Sequence, residues 1–155
     1  MNRICSGLHK ALIHKKLSIA VAESCTGGLL GFLLTATPGS SKYFKLGLIT
    51  YSNKTKQKLL NIPGRLIKAK GAVSQEIASK MAQNIKYLAK TDIGVGITGI
   101  AGPTGGTIQK PVGTVFIALA LKGRTSCKKF LFKGSRDRIR KQSALEAMKL
   151  IRKVL

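Results

Sequence analysis

A chain of 155 residues that is 44% hydrophobic can bury a proper core, which excludes a disordered segment. Its 28 lysines and arginines against 5 acidic residues give a formal charge of +23, so paired-carboxylate and carboxylate–metal chemistry have little to draw on. No run approaches the ~20 apolar residues of a membrane span, which leaves a basic, soluble protein.

An opening helix is predicted over residues 2–15, from Ile4, Leu8, Ala11 and Leu12 on one face. Residues 1–22 imitate a signal peptide through a basic start and Ala20-Val21-Ala22. Their apolar part, Leu17–Val21, falls short of the ~7–15 residues such a region needs, so a cytoplasmic location is expected. Leu17–Ala22 is predicted as a strand, Glu23–Gly28 as a tight polar turn, and the apolar run from Leu29 to Leu34 as a helix. Thr35–Ser41 reads as a loop through its Pro38-Gly39 step. A second strand is expected over Leu46–Tyr51, then a short helix to Leu60 with Ser52 and Asn53 as caps. Pro63-Gly64 interrupts the chain, and a basic turn or helix, Arg65–Lys70, ends at Gly71. The clearest helix runs from Ser74, its N-cap, to about Ala89, with Ile77, Met81, Ile85 and Leu88 as its buried stripe. Ile93–Thr98 is the third strand and leads into a glycine-rich loop, Gly99–Gly106. Val112–Leu121 and Cys127–Phe132 read as a hairpin around Lys122-Gly123-Arg124, and a last helix starts near Arg136. Early alternation of strands and helices with a late hairpin predicts an α/β fold: a three-layer α/β/α sandwich on a mixed β-sheet, one domain over residues 1–155.

The stretch Leu17–Gly31 places small polar side chains and free backbone N–H groups at one point, and the working site is expected there. Ser24 is the candidate nucleophile, but a serine needs a base and a site for the oxyanion. His9 and His14 lie about one turn apart on the opening helix and read as surface residues, which argues against a Ser-His-Asp triad. The three cysteines, Cys5, Cys25 and Cys127, form no CxxC pair, so reduced thiols are expected, with neither zinc site nor redox motif. Cys25 reads as a buried filler. Gly94-Val95-Gly96-Ile97-Thr98-Gly99 matches GxGxxG, yet its first glycines fall inside a predicted strand and no helix follows, so no dinucleotide site is assigned. Lysine remains as the base, provided desolvation or nearby positive charge lowers its pKa. Lys54, Lys56 and Lys58 follow the second strand, and spacing alone does not separate any of them from solvated helix lysines. The net charge fits either nucleic-acid binding or a solvated basic surface; with no nucleic-acid module pattern in the chain, the second is preferred.

Six ordered motifs carry a resemblance. They are Glu23-Ser24-Cys25-Thr26-Gly27-Gly28 after Ala22, Tyr51-Ser52-Asn53-x-x-Lys56, Gly71-Ala72-Val73-Ser74, Gly99-Ile100-Ala101-Gly102-Pro103-x-Gly105-Gly106, Lys110-Pro111-Val112-Gly113-Thr114-Val115 and Gly134-x-Arg136-Asp137. Together, over about residues 5–152, they resemble the CinA C-terminal domain family, the nicotinamide-nucleotide amidohydrolases. The resemblance implies hydrolysis of the carboxamide of nicotinamide mononucleotide to nicotinate mononucleotide and ammonia, in pyridine nucleotide recycling, without cofactor or metal. It implies Ser24 as nucleophile, Lys56 as base, Tyr51 as a positioning group, and Thr98 with the Gly99–Gly102 backbone lining the site. Arg136, and with it Arg140, is implied for the substrate phosphate. Thr26, Gly27 and Gly28 are expected to offer N–H groups to oxyanion or phosphate, and Asn53 to touch substrate. A homodimer is implied as well. Two positions depart from the family pattern. Thr104 stands where an acidic residue is frequent, and Lys54 stands where a neutral or acidic one is, adding charge expected to lower the Lys56 pKa. Larger members carry a further N-terminal domain, which this sequence is expected to lack.

Overall fold

A computed structural model describes residues 2–155, with side chains from Ile4 onward; residue 1 of the expected span lies outside the described residues. The elements in order are α1 (Asn2–His14), β1 (Ile19–Glu23), α2 (Leu29–Thr35), β2 (Phe44–Ile49), α3 (Asn53–Leu60), α4 (Gly64–Lys70), α5 (Gln75–Ala89), β3 (Ile93–Gly99), β4 (Thr114–Leu121), β5 (Arg124–Leu131) and α6 (Arg136–Lys153). A 3-10 turn, Ser40–Lys42, closes the expected loop and runs one residue past it.

Several strand edges differ from expectation, each for a local reason. Leu17 does not open β1, because its N–H closes the end of α1 on the Leu12 carbonyl (3.1 Å) while Lys16 turns through φ +54°. β2 sits two residues earlier than predicted. Its parallel register runs from Phe44 opposite Ile19 to Ile49 opposite Glu23; Thr50 keeps one last bond from its N–H to the Glu23 carbonyl, and Tyr51 overruns the sheet into a loop. β4 starts at Thr114 because Gly113 (φ +94°) packs where any Cβ would collide with the Phe132 carbonyl. β5 begins at Arg124, directly after a Lys122-Gly123 turn, and its polar start, Arg124-Thr125-Ser126, hides it from a search for apolar runs. Exposed Lys128 and Lys129 on this edge strand guard against pairing with another sheet.

The sheet order is β2-β1-β3-β4-β5, parallel at β2-β1-β3 and antiparallel at β3-β4-β5, which is the mixed sheet expected. Its two faces differ in bulk. Ile19 and Val21 of β1, Ile93, Val95 and Ile97 of β3, and Val115, Ile117 and Leu119 of β4 pack under α1, α2 and α6. Opposite lie Ala20, Ala22, Gly94, Gly96, Ala118 and Ala120, small enough for α5 to rest almost on the backbone. The GxGxxG match is thereby accounted for: a Cβ on Gly94 or Gly96 would collide with the Ala82 or Ala78 carbonyl of α5. From β1 the chain crosses through α2 to β2 and returns through α3–α5 to β3 on the other side. The carboxyl ends of β1 and β3 therefore border the crevice where such sheets bind ligands.

Candidate active site

Ser24 follows β1 immediately and extends its pairing by one bond, from its N–H to the Ile97 carbonyl of β3 (3.0 Å). Gly27 (φ +60°) and Gly28 (φ +95°) then fold the chain back through left-handed backbone that favours glycine. This turn brings the start of α2 over the end of β1. Ser24 itself stays 8% exposed, at the floor of an open cleft of about 260 Å³.

Lys56 reaches the same floor from α3. Ser52 caps that helix by accepting from the Thr55 N–H (3.1 Å), while the Thr55 hydroxyl accepts from the Ser52 N–H (3.2 Å). The cap fixes which way α3 turns its side chains, and Lys56 points inward with 1% exposure. Its Nζ lies 3.1 Å from Ser24 Oγ, 2.8 Å from the Thr50 carbonyl oxygen and 3.3 Å from that of Tyr51. Among the described residues none of the ion pairs includes Lys56. Burial lowers its pKa below the ordinary lysine value, partly opposed by the neighbouring Cys25. The cause is desolvation, not Lys54. That residue is exposed and two positions away on α3, where side chains do not share a face. In the neutral amine, two N–H groups serve the two carbonyls and the lone pair is left for the Ser24 hydroxyl.

This geometry fixes the sign of a pH effect. Because the folded pKa of Lys56 is the lower one, the unfolded chain holds a proton that the native state lacks, over the range between folded and ordinary lysine values. Wild-type stability relative to Lys56→Met is expected to rise with pH through that range, by at most about 1.4 kcal/mol per pH unit. Paired denaturant titrations across the range would measure it, and a flat or falling difference would contradict the depressed pKa.

The cleft wall is Thr98, Gly99, Ile100, Ala101 and Gly102 at the end of β3, with Ala72 and Val73 from the loop before α5. Thr98 donates its hydroxyl to the Ala72 carbonyl (2.8 Å), tying the two walls together. Tyr51, Asn53, Thr104, Gly105 and Arg136 form the rim. Arg136, the first residue of α6, donates from Nη1 to the Gly102 carbonyl (2.6 Å) and from Nη2 to the Tyr51 hydroxyl (2.7 Å). Both acceptors are uncharged, and the remaining guanidinium N–H groups stay available to an anion.

Eight of the residues singled out in the sequence thus share one cleft: Ser24, Tyr51, Asn53, Lys56, Thr98, Gly99, Gly102 and Arg136. Four expectations need correcting. Thr26, Gly27, Gly28 and Arg140 do not line the cleft. The N–H groups of Gly28, Leu30 and Gly31 are taken by the buried Glu23 carboxylate at 3.1, 3.1 and 2.7 Å, and that of Gly27 by the Ser24 carbonyl (3.1 Å). Arg140 is held by the Thr26 carbonyl, at 3.3 Å from Nε and 2.9 Å from Nη2, so it braces the turn. Cys25 is buried and its thiol is pushed up to about 12, chiefly by desolvation, which keeps it a thiol and not a nucleophile. His9 stacks edge-on against Tyr43, with ring centroids 5.5 Å apart, and neither histidine lines the cleft. Sequence reasoning missed Glu23 as a cap and Ala72 and Val73 as wall. A helix whose N-cap position falls on glycine was the available signal for the first.

A three-layer α/β domain whose carboxyl-end crevice holds a serine hydroxyl against a buried lysine amine defines the class. Residues 2–155 match the family model described as the CinA C-terminal domain, and the chain belongs to that family. A CinA-like protein of Geobacter sulfurreducens is 44% identical over 154 residues, covering 99% of this chain and 37% of its own. One from Geobacter metallireducens is 50% identical over 139 residues, covering 90% and 34%. The chain therefore spans about a third of the length of these curated relatives. Among solved structures, the competence/damage inducible protein CihA from Agrobacterium tumefaciens gives a TM-score of 0.95 at 31% identity, covering 98% of this chain and 93% of that one. A CinA superfamily protein from Escherichia coli gives 0.94 at 31%, covering 98% and 88%. Among the described residues no helix is long and apolar enough to cross a membrane.

Proposed function

We propose that this domain hydrolyses the carboxamide of nicotinamide mononucleotide, through an acyl-enzyme on Ser24 with Lys56 as the base. The observation that supports it is the 3.1 Å approach of a fully buried amine, unpaired with any carboxylate among the described residues, to the hydroxyl at the cleft floor. Ser24 Oγ attacks the carboxamide carbon while its proton passes to Lys56 Nζ. The resulting ammonium returns that proton to the departing nitrogen, which leaves as ammonia. Water then attacks the ester, Lys56 takes the water proton, and Ser24 Oγ is re-protonated as the nicotinate product departs.

A cleft of about 260 Å³ is below the ~300–1,000 Å³ usual for a whole drug-sized ligand. It suits the pyridine carboxamide at its floor, with ribose and phosphate extending to the rim and Arg136. The experiment is ammonia release from nicotinamide, its riboside and its mononucleotide. A strong preference for the phosphorylated compound is expected, and equal rates would contradict the arginine assignment. Arg136→Ala is expected to raise KM for the mononucleotide by about 10-fold or more, since a hydrogen bond to a charged group contributes ~1.5–3 kcal/mol. The riboside KM should stay put.

A further inference from the structure

We infer that Glu23 is a positioning residue for the pair at the cleft floor: its buried carboxylate closes the turn that carries Ser24 to Lys56. Gly28, at the N-cap of α2, has no side chain with which to cap the helix. Glu23 does so from five residues upstream, with Oε2 accepting from Gly28 and Leu30 and Oε1 from Gly31. The residue is 1% exposed, and none of the ion pairs among the described residues includes it, so backbone N–H groups alone balance it.

The same residue also reaches the other half of the pair. Its carbonyl accepts from the Thr50 N–H (2.8 Å), and the Thr50 carbonyl in turn accepts from Lys56 Nζ (2.8 Å). Glu23 therefore holds the nucleophile's turn through its side chain and the base's anchor through its main chain. Ser24, between these two attachments, has only its short side chain free to move. A shift of about 1 Å at such a site can cost around 10²-fold in rate.

Glu23→Gln tests this, because the amide keeps the shape but sets N–H against the N–H groups of α2. The inference rests on the proposed reading in taking Ser24 as nucleophile and Lys56 as its base, not in the substrate. The readout is therefore phosphonylation of Ser24 by a fluorophosphonate, with fluoride as the leaving group, followed by intact-protein mass spectrometry. Expected is at least a tenfold slower labelling per folded molecule, folding being checked by circular dichroism, and loss of the rise in rate with pH that the Lys56 amine gives the wild type. Glu23→Asp, which keeps the charge with one methylene fewer, should recover part of both. Where the glutamine variant does not fold, the aspartate variant carries the test: slowed labelling supports the role and wild-type labelling overturns it. A folded Glu23→Gln protein with wild-type rate and pH profile overturns it as well. Wild-type protein that labels at Ser24 but releases no ammonia from the mononucleotide would sink the proposed function and leave this inference standing. Absence of labelling at Ser24 in the wild type would overturn both.

Discussion

Lys56→Met is expected to lower kcat for ammonia release from nicotinamide mononucleotide by about 10²–10⁴-fold, the range for loss of a positioned general base. Ser24→Ala should lose at least as much. The double variant should fall little below the worse single one, because groups that act as a unit are not additive. KM should change far less than kcat, since neither side chain reaches the rim where the phosphate is expected. Lys56→Arg discriminates further. A guanidinium keeps the positive charge and much of the length, but it does not deprotonate, so it cannot take the hydroxyl proton and should be as inactive as methionine. Steady-state assays on folded proteins check all four. Turnover retained in Lys56→Arg would mean that charge, not basicity, is what position 56 supplies.

The second large effect is on the fold. Gly96→Val should destabilise the domain at or above the top of the ~1–3 kcal/mol typical of overpacking. A Cβ there would lie 2.7 Å from the Ala82 nitrogen and 2.9 Å from Met81 Cβ, and would collide with the Ala78 carbonyl. Most of these contacts are helix backbone, so no side chain can swing away, and α5 would have to lift off the sheet. At ~2–4 °C per kcal/mol for a chain of this size, 3 kcal/mol corresponds to a Tm lower by roughly 6–12 °C. Thermal unfolding measures it, and a Tm unchanged to within a degree or two would contradict the close packing of α5 on β3.

These glycines show what the sequence could and could not disclose. Their position inside an apolar run was enough to set aside a dinucleotide site, but not to say why glycine was needed, because the reason lies on α5. The mixed sheet and its three layers followed from periodicity and element order. Strand edges did not: the limits of β2 are set by its partner β1, and the start of β5, Arg124-Thr125-Ser126, is polar because an edge strand faces water. Within the site, Ser24 was readable from strand-to-turn chemistry alone. Lys56 was not separable by spacing from Lys54 and Lys58, since burial is a tertiary property; motif resemblance singled it out. The start of α2 looks like an open anion site because nothing in the local sequence shows that Glu23, the last residue of β1, folds its carboxylate back onto the Gly28, Leu30 and Gly31 N–H groups. Arg140 misleads similarly. One helical turn beyond Arg136, it looks like a partner for the same anion, yet its guanidinium faces the Thr26 carbonyl.

The central claim is that the amine at position 56 loses its proton in the folded protein below the ordinary lysine range. Heteronuclear NMR of protein labelled at the lysine side chains measures this directly, with the Lys56 signal identified by its disappearance in Lys56→Met. This signal is expected to titrate below the ordinary lysine value and to shift when Ser24 is replaced by alanine. A Lys56 signal that titrates at or above the ordinary lysine value, or that ignores the loss of the Ser24 hydroxyl, would contradict it.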